Sequence, residues 1–385
     1  MTLLDTQTAY AQSELGLHTI APAQRKLRVA FFSDAMPERN GAGSYYTDLV
    51  AHLREAQVDA RMFQPQRKSR WTRFALPLPG DSTQKLLTPN IPQIWQRCMQ
   101  LQPDIIIAIT PGPFGLLGMA LAKRLNCGFA CGFHTQFEEL SKLYWNPMLR
   151  RVASGYLEAT NRIICAASST VMVHNTALIE TVRKLGAPTV DVMGTPLAPC
   201  FVHSPLQPNT GELRRVCFAG RLAPEKNVDQ ILQAARAIPQ LQFSIAGDGP
   251  LCKALEKQAA GLSNVRFHGW LDRTSLLQVI DASDMLLLPS ALETFGTVAL
   301  EAMARGRPAL VAQGAGIHRW PELAVGLYTQ QTGEDVCSAL QRLLQLDPAL
   351  RQARAQQARQ AALQLHEATL DQWLQLLQSH AQPLT

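Results

Sequence analysis

Residues 284–312 read DMLLLPSALETFGTVALEAMARGRPALVA, and their succession of patterns decides the fold. The run DMLLLPS (284–290) is short, apolar and closed by a proline turn, as a strand buried on both faces would be. A glycine-containing turn follows, then TVALEAMARG with helical period, then a second apolar strand, PALVAQG (308–314). Apolar strands separated by helices predict a parallel sheet covered on both faces. Two carboxylates, Glu293 and Glu301, bracket the start of that helix.

The same plan extends on both sides. RRVCFAG (214–220), LQFSIAG (241–247) and NVRFHGW (264–270) read as further strands, with VDQILQAARAIP, PLCKALEKQAAG and RTSLLQVIDAS as the helices between them. In the first half, LRVAFFS (27–33), PDIIIAIT (103–110), GFACGFH (128–134) and NRIICAA (161–167) read as strands, with helical segments such as GLLGMALAKRLN between them. The stretch MGTPLAPCFVHSPLQPNTGEL (193–213) has neither period and reads as the connection between two domains. The tail from residue 351 is helical throughout, and Leu370, Trp373, Leu374 and Leu377 form one apolar stripe that docks on something. The expected architecture is two doubly wound α/β domains facing a cleft.

Bulk properties agree. At 385 residues the chain is long for one core, and 46% apolar with 17% charged residues is a globular composition. No apolar run reaches the ~20 residues of a membrane span, and the first twenty residues lack the basic start and apolar core of a signal peptide. A cytoplasmic protein is expected, with its eight scattered cysteines reduced and buried. A net charge of +6 is too weak to imply nucleic acid. Two segments, 66–79 and 140–152, interleave basic residues with Trp71, Phe74, Tyr144 and Trp145. They read either as ordinary surface or as contacts to an anionic bilayer.

Ligands of open parallel sheets bind beyond the carboxyl ends of the strands. There the sequence places Arg221 and Lys226, after VCFAG, two cations suited to a diphosphate or simply exposed on a loop. Thr294, Phe295, Gly296 and Thr297 open the helix that carries Glu301, where free N–H groups and the helix dipole favour phosphate. Glu293 suits the hydroxyls of a hexose and Glu301 those of a ribose, unless Glu301 is a surface partner of Arg305 four residues on. In the first half, Gly41, Ala42 and Gly43 open a helix without making a dinucleotide fingerprint. His134 ends a strand facing the same cleft, able to contact a sugar hydroxyl or to donate to a leaving group, or else simply structural. His174, His268 and His318 show no metal-ligand spacing.

With these residues assembled, the chain from about residue 27 to 322 resembles the family 4 retaining glycosyltransferases of GT-B architecture. FAGRLAPEKNVDQIL, IAGDGPL and the 265–312 stretch carry the likeness. The first half, PGPFGLLGMALAKRLNCGFACGFHTQFEEL, is similar to the glycolipid-forming branch, the sulfoquinovosyl- and glycosyl-diacylglycerol synthases and phosphatidylinositol mannosyltransferases. Gln136 stands where that branch usually has an acid, NGAGSYY replaces its commoner NGV pattern, and MGTPLAP departs from its usual turn before the linker. The resemblance implies an extension at 1–26, an acceptor domain at 27–196, a nucleotide-sugar domain at 197–365, and a crossover helix and tail at 366–385. It matches Glu293 and Glu301 to the E-x7-E pair for donor sugar and ribose, Arg221 and Lys226 to the diphosphate pair, and His134 to the histidine beside the donor sugar. Gly41, Gly43, Gly220, Gly247, Gly249 and Gly269 join the implied donor-side set.

The implied reaction moves a sugar from a nucleotide diphosphate donor, UDP by family habit, to an acceptor hydroxyl with retention, the diphosphate itself taking the acceptor's proton. No Asp-x-Asp motif is present, so no metal and no cofactor are expected. The expected acceptor is a membrane lipid such as diacylglycerol, with the protein peripheral on the inner face of the plasma membrane. A polysaccharide, protein or small-molecule acceptor is the alternative. A nucleotide-sugar epimerase would need carboxylates in the first half, where Asp34, Glu38, Glu138 and Glu139 are the candidates. A non-catalytic binder would be expected to have lost part of the Arg/Lys/Glu/Glu set, which is intact here.

Overall fold

The apolar runs of both halves form parallel sheets in a computed structural model, which describes residues 25–35, 41–65, 72–78, 81–133 and 147–381. The first domain runs β1 (Arg28–Phe32), α1 (Gly41–Glu55), β2 (Asp59–Phe63), β3 (Thr72–Leu78), β4 (Asp81–Pro89), α2 (Ile91–Leu101), β5 (Ile105–Ala108), α3 (Pro113–Leu125), β6 (Gly128–Phe133), α4 (Pro147–Ala167), β7 (Val171–Val173), α5 (Ile179–Lys184) and β8 (Val190–Val192). Its sheet order is β2-β1-β5-β6-β7-β8, all parallel, and β3 and β4 form a separate antiparallel pair. Ile105–Ala108 is buried on both faces, as a central strand flanked by helices must be.

The second domain runs α6 (Pro199–His203), β9 (Arg215–Ala219), α7 (Val228–Ala237), β10 (Gln242–Ala246), α8 (Cys252–Gln258), β11 (Val265–Gly269), α9 (Arg273–Asp281), β12 (Met285–Leu288), α10 (Thr297–Ala304), β13 (Ala309–Val311), β14 (Leu327–Thr329), α11 (Val336–Leu344) and α12 (Pro348–His380). Its order is β11-β10-β9-β12-β13-β14, again all parallel. Each sheet has a hydrophobic core on both faces.

One strand assignment is corrected. NRIICAA (161–167) is not a strand but the end of the 21-residue α4. Ile164 and Cys165 turn into the core while Ile163 is exposed, which is a helical rather than an alternating arrangement. The neighbouring strand is the three-residue β7, just beyond it.

Helix α12 is one unbroken element of 33 residues, about 50 Å at 1.5 Å per residue. Its first half packs Ala358, Ala361, Ala362 and Leu365 into the second domain's core. Its second half packs Trp373 and Leu377 into the first domain's core, with Leu370 and Leu374 alongside. Trp373 is fully buried against Phe31 and Tyr46 and donates its indole N–H to Tyr45 Oη at 2.8 Å. The apolar stripe read from the sequence is therefore the docking face on the first domain.

The connection at 193–213 is held from both sides. His52 of α1 meets the Leu197 carbonyl at 2.7 Å, and His366 Nδ1 of α12 accepts the Leu197 N–H at 3.1 Å. Arg305, fully buried, forms a two-pronged ion pair with Asp281 at 2.8 Å and donates to the Ser204 carbonyl at 2.9 Å. All eight cysteines are free thiols. Among the described residues no helix is long and apolar enough to cross a membrane.

Candidate active site

The site is built at the carboxyl ends of β9 and β12, adjacent strands whose following loops are bonded to each other. Ala291 N–H donates to the Glu225 carbonyl at 2.8 Å, and Asn227 Nδ2 donates to the Pro289 carbonyl at 3.0 Å. Between these ties Lys226 Nζ donates to Glu293 Oε2. Both side chains are mostly covered, 15% and 22% exposed, so the pair lies at the mouth rather than on open surface. Arg221 is half-buried on the same loop, five residues ahead of Lys226. The loop after β13 completes the wall: Glu293 N–H donates to the Gly314 carbonyl at 3.0 Å, and Gly316 N–H donates to the Glu293 carbonyl at 2.8 Å.

Helix α10 starts immediately beyond Glu293. Its N-cap is Gly296 at φ +108°, a conformation L side chains rarely adopt, and a Cβ there would also meet Leu288 Cδ2 at 2.8 Å. Gly296 has no side chain to cap this N-terminus, and the first turn contains no acidic residue. Thr297 is half-buried and Thr294 likewise, with its carbonyl turned to the first domain. The N–H groups of a helix N-terminus next to a lysine suit a phosphate group.

Glu301 lies one turn inside α10 and is 1% exposed. It does not pair with Arg305, which is committed to Asp281 and the linker. Instead Arg273, at the start of α9, donates through Nη1 to Glu301 Oε1 and through Nη2 to Asp48 Oδ2 of α1. Burial raises the carboxyl pKa of Glu301 and of Asp48, and the guanidinium opposes both shifts. Two further bonds cross between the domains. Asn175 Nδ2 donates to the Thr294 carbonyl, and Trp320 Nε1 to the His174 carbonyl, each at 2.9 Å.

The Phe295 side chain belongs to the core, 3% exposed and set edge-on to Trp320 at 5.9 Å. Gly247 and Gly249 lie against protein backbone: a Cβ would stand 1.8 Å from the Gly220 carbonyl oxygen or 2.4 Å from that of Leu222. Gly269 ends β11, and its carbonyl accepts the Gly247 N–H at 2.7 Å. Gly41 opens α1 and Gly43 is buried within it. His134, Gln136, Glu38, Glu138 and Glu139 lie outside the described residues, as do 66–71, 79 and 140–146 of the two basic-aromatic segments; 72–78 is strand β3 and 147–152 begins α4. Asp34, the remaining epimerase candidate, caps α3: its Oδ1 accepts the Phe114 N–H at 2.9 Å and its Oδ2 the Thr110 hydroxyl at 2.5 Å. Burial raises its pKa.

Asp48, Asn175, Arg273 and Trp320 were not among the residues singled out from the sequence. Asp48 sits one turn from Tyr45 and His52 on α1, so the polar interruption of a buried helical face was its only signal.

Two tandem parallel sheets, a cleft mouth at the strand ends and a C-terminal helix shared by both domains define a GT-B glycosyltransferase fold. The chain belongs to the group 1 and family 4 glycosyltransferases: the "Glycosyltransferase Family 4" model matches residues 39–195 and "Glycosyl transferases group 1" matches 206–361, between them most of the chain. It is 27% identical to the sulfoquinovosyl transferase SQD2 of Arabidopsis thaliana over 59% of this chain and 46% of that one. It is 27% identical to the alpha-monoglucosyldiacylglycerol synthase of Streptococcus pneumoniae over 56% and 53%. The chain thus spans about half the length of these curated relatives. The structure of Anabaena Alr3699/HepE in complex with UDP-glucose superposes with a TM-score of 0.66 at 17% identity, over 92% of this chain and all of that one.

Proposed function

We propose that this protein is a retaining glycosyltransferase that moves a hexose or related sugar from a nucleotide diphosphate donor to an acceptor hydroxyl. The observation that carries the reading is the convergence of Lys226, Glu293 and the α10 N-terminus on loops bonded to one another. Thr297 and Glu301 are four residues apart, about 6 Å along the helix axis. That separation suits a diphosphate at the N-terminus and a ribose hydroxyl at Oε2 of Glu301, the oxygen Arg273 does not use. A UDP donor is favoured by the UDP-glucose held by the HepE fold relative.

In the reaction the C1–O bond to the diphosphate breaks and a C1–O bond to the acceptor forms on the same face. The acceptor's proton passes to the departing phosphate oxygen, so no separate base is needed. Charge on the leaving diphosphate is met by Arg221, Lys226 and the N–H groups at 296–298, preorganised donors that cost no reorganisation and require no metal. Glu293 orients Lys226 and accepts hydrogen bonds from the transferred sugar.

A lipid acceptor, diacylglycerol by likeness to the Streptococcus pneumoniae relative, is supported by the first domain's outer surface. Helices α2, α3 and α4 cover one face of the sheet. Ile91 and Trp95 on α2, and Tyr156 and Ile163 on α4, point outward and are 37–52% exposed, with Arg151 and Arg162 beside them on α4. Amphipathic aromatics with basic neighbours suit an anionic bilayer surface.

The test is a donor scan against total bacterial lipid extract, read by mass spectrometry. A new glycosyl-diacylglycerol supports the full reading. Release of nucleotide without glycolipid removes the lipid acceptor and leaves the transferase. No turnover with any nucleotide-sugar overturns the proposal.

A further inference from the structure

The buried ion triad at the domain boundary goes beyond the reaction and rests on the reading of Glu301 as the ribose carboxylate. Asp48 comes from α1 of the first domain, and Arg273 and Glu301 from α9 and α10 of the second. Asp48 is 9% exposed and Glu301 1%, so neither carboxylate is solvated like a surface ion pair. A single guanidinium serves both, one arm to each, and the Phe201 ring lies 5.9 Å from its carbon. Cys200 of α6 also faces the triad, while Arg305, on Glu301's own helix, is taken by Asp281. Arg273 is therefore the cation that holds Glu301 oriented and charged. It does so with a hand on the opposite domain.

We propose that Arg273 is a positioning residue for the donor that links nucleotide binding to the contact between the two domains through Asp48. Each carboxylate holds one arm of the guanidinium, so loosening Asp48 from Arg273 frees the guanidinium to rotate and with it the carboxylate that receives the ribose. Donor affinity then depends on a first-domain residue that never touches the donor. Coupling of this kind between separate sites is commonly worth about 5- to 150-fold in affinity.

The experiment measures UDP, GDP and ADP binding to the full chain by calorimetry, with thermal melts as the check on folding. Asp48→Asn keeps shape and removes one charge, and is expected to weaken nucleotide binding about 5-fold or more. Arg273→Met is expected to weaken it further, with the loss greatest at low pH, because Glu301 then has no counter-charge and takes up a proton. Arg273→Lys restores the charge and a flat pH profile. Unchanged affinity in either Asp48→Asn or Arg273→Met overturns the proposal, as does a loss in Arg273→Met that is independent of pH and not recovered by Arg273→Lys. Should Arg273→Met not fold, Asp48→Asn decides. If the unaltered protein binds none of the three nucleotides, the donor reading itself fails and this proposal with it.

Discussion

Asn175 of the first domain donates its side-chain N–H to the carbonyl oxygen of Thr294 in the second, 2.9 Å away. Thr294 immediately precedes the turn into α10, so a first-domain amide fixes the peptide that leads into that helix N-terminus. One neutral hydrogen bond is worth about 1 kcal/mol net, or about 5-fold in binding. Asn175→Ala is expected to weaken nucleotide binding by about that factor while leaving far-ultraviolet dichroism unchanged. Calorimetric titration with UDP checks it.

Lys226→Ala removes an oriented charge from the leaving diphosphate. Turnover is expected to fall about 10²–10³-fold, with the thermal midpoint close to that of the unaltered protein because Lys226 lies at the mouth of the sheet rather than in its core. Steady-state rates with a saturating donor check this, and near-normal turnover would remove Lys226 from its role.

Buried imidazoles should make the fold acid-sensitive. Desolvation lowers the pKa of His366 to about 4, with the charges of His52 and His203 adding to the shift, and desolvation lowers that of His174 likewise to about 4. In the unfolded chain both titrate near 6.5. Between about pH 6.5 and 4 the unfolded state therefore binds more protons at these two groups, so their contribution to stability falls as pH falls through that window and levels off below it. Replacing His366 by Gln keeps an acceptor for the Leu197 N–H without titrating in this range. Urea melts at several pH values are expected to show a shallower acid slope in that variant.

Trp373→Ala opens a cavity beside Phe31 and Tyr46 and leaves Tyr45 without its indole donor. A loss of about 3–5 kcal/mol is expected. Denaturant melts check it, and the first domain should lose its protection from amide exchange before the second.

The parts legible in the sequence were those carried by pattern within one segment. Apolar runs such as DMLLLPS and PDIIIAIT gave strands because nothing else buries both faces so evenly. NRIICAA misled because seven apolar-rich residues fit a buried helix end as well as a buried strand. Val171–Val173, Val190–Val192 and Leu327–Thr329 are too short to show a period. At the site, Lys226 and Glu293 could be named because each stands beside a strand end. Arg273 could not, because what matters about it is Asp48, which meets it only after both domains have folded.

Helix α12 ties the order of synthesis to the order of folding. Domains usually fold as the chain emerges, the first before the second. Here the tryptophan that seals the first core belongs to a helix that leaves the ribosome only after the whole second sheet. The first core waits, with Phe31 and Tyr46 uncovered, until a helix encoded beyond the second sheet has emerged.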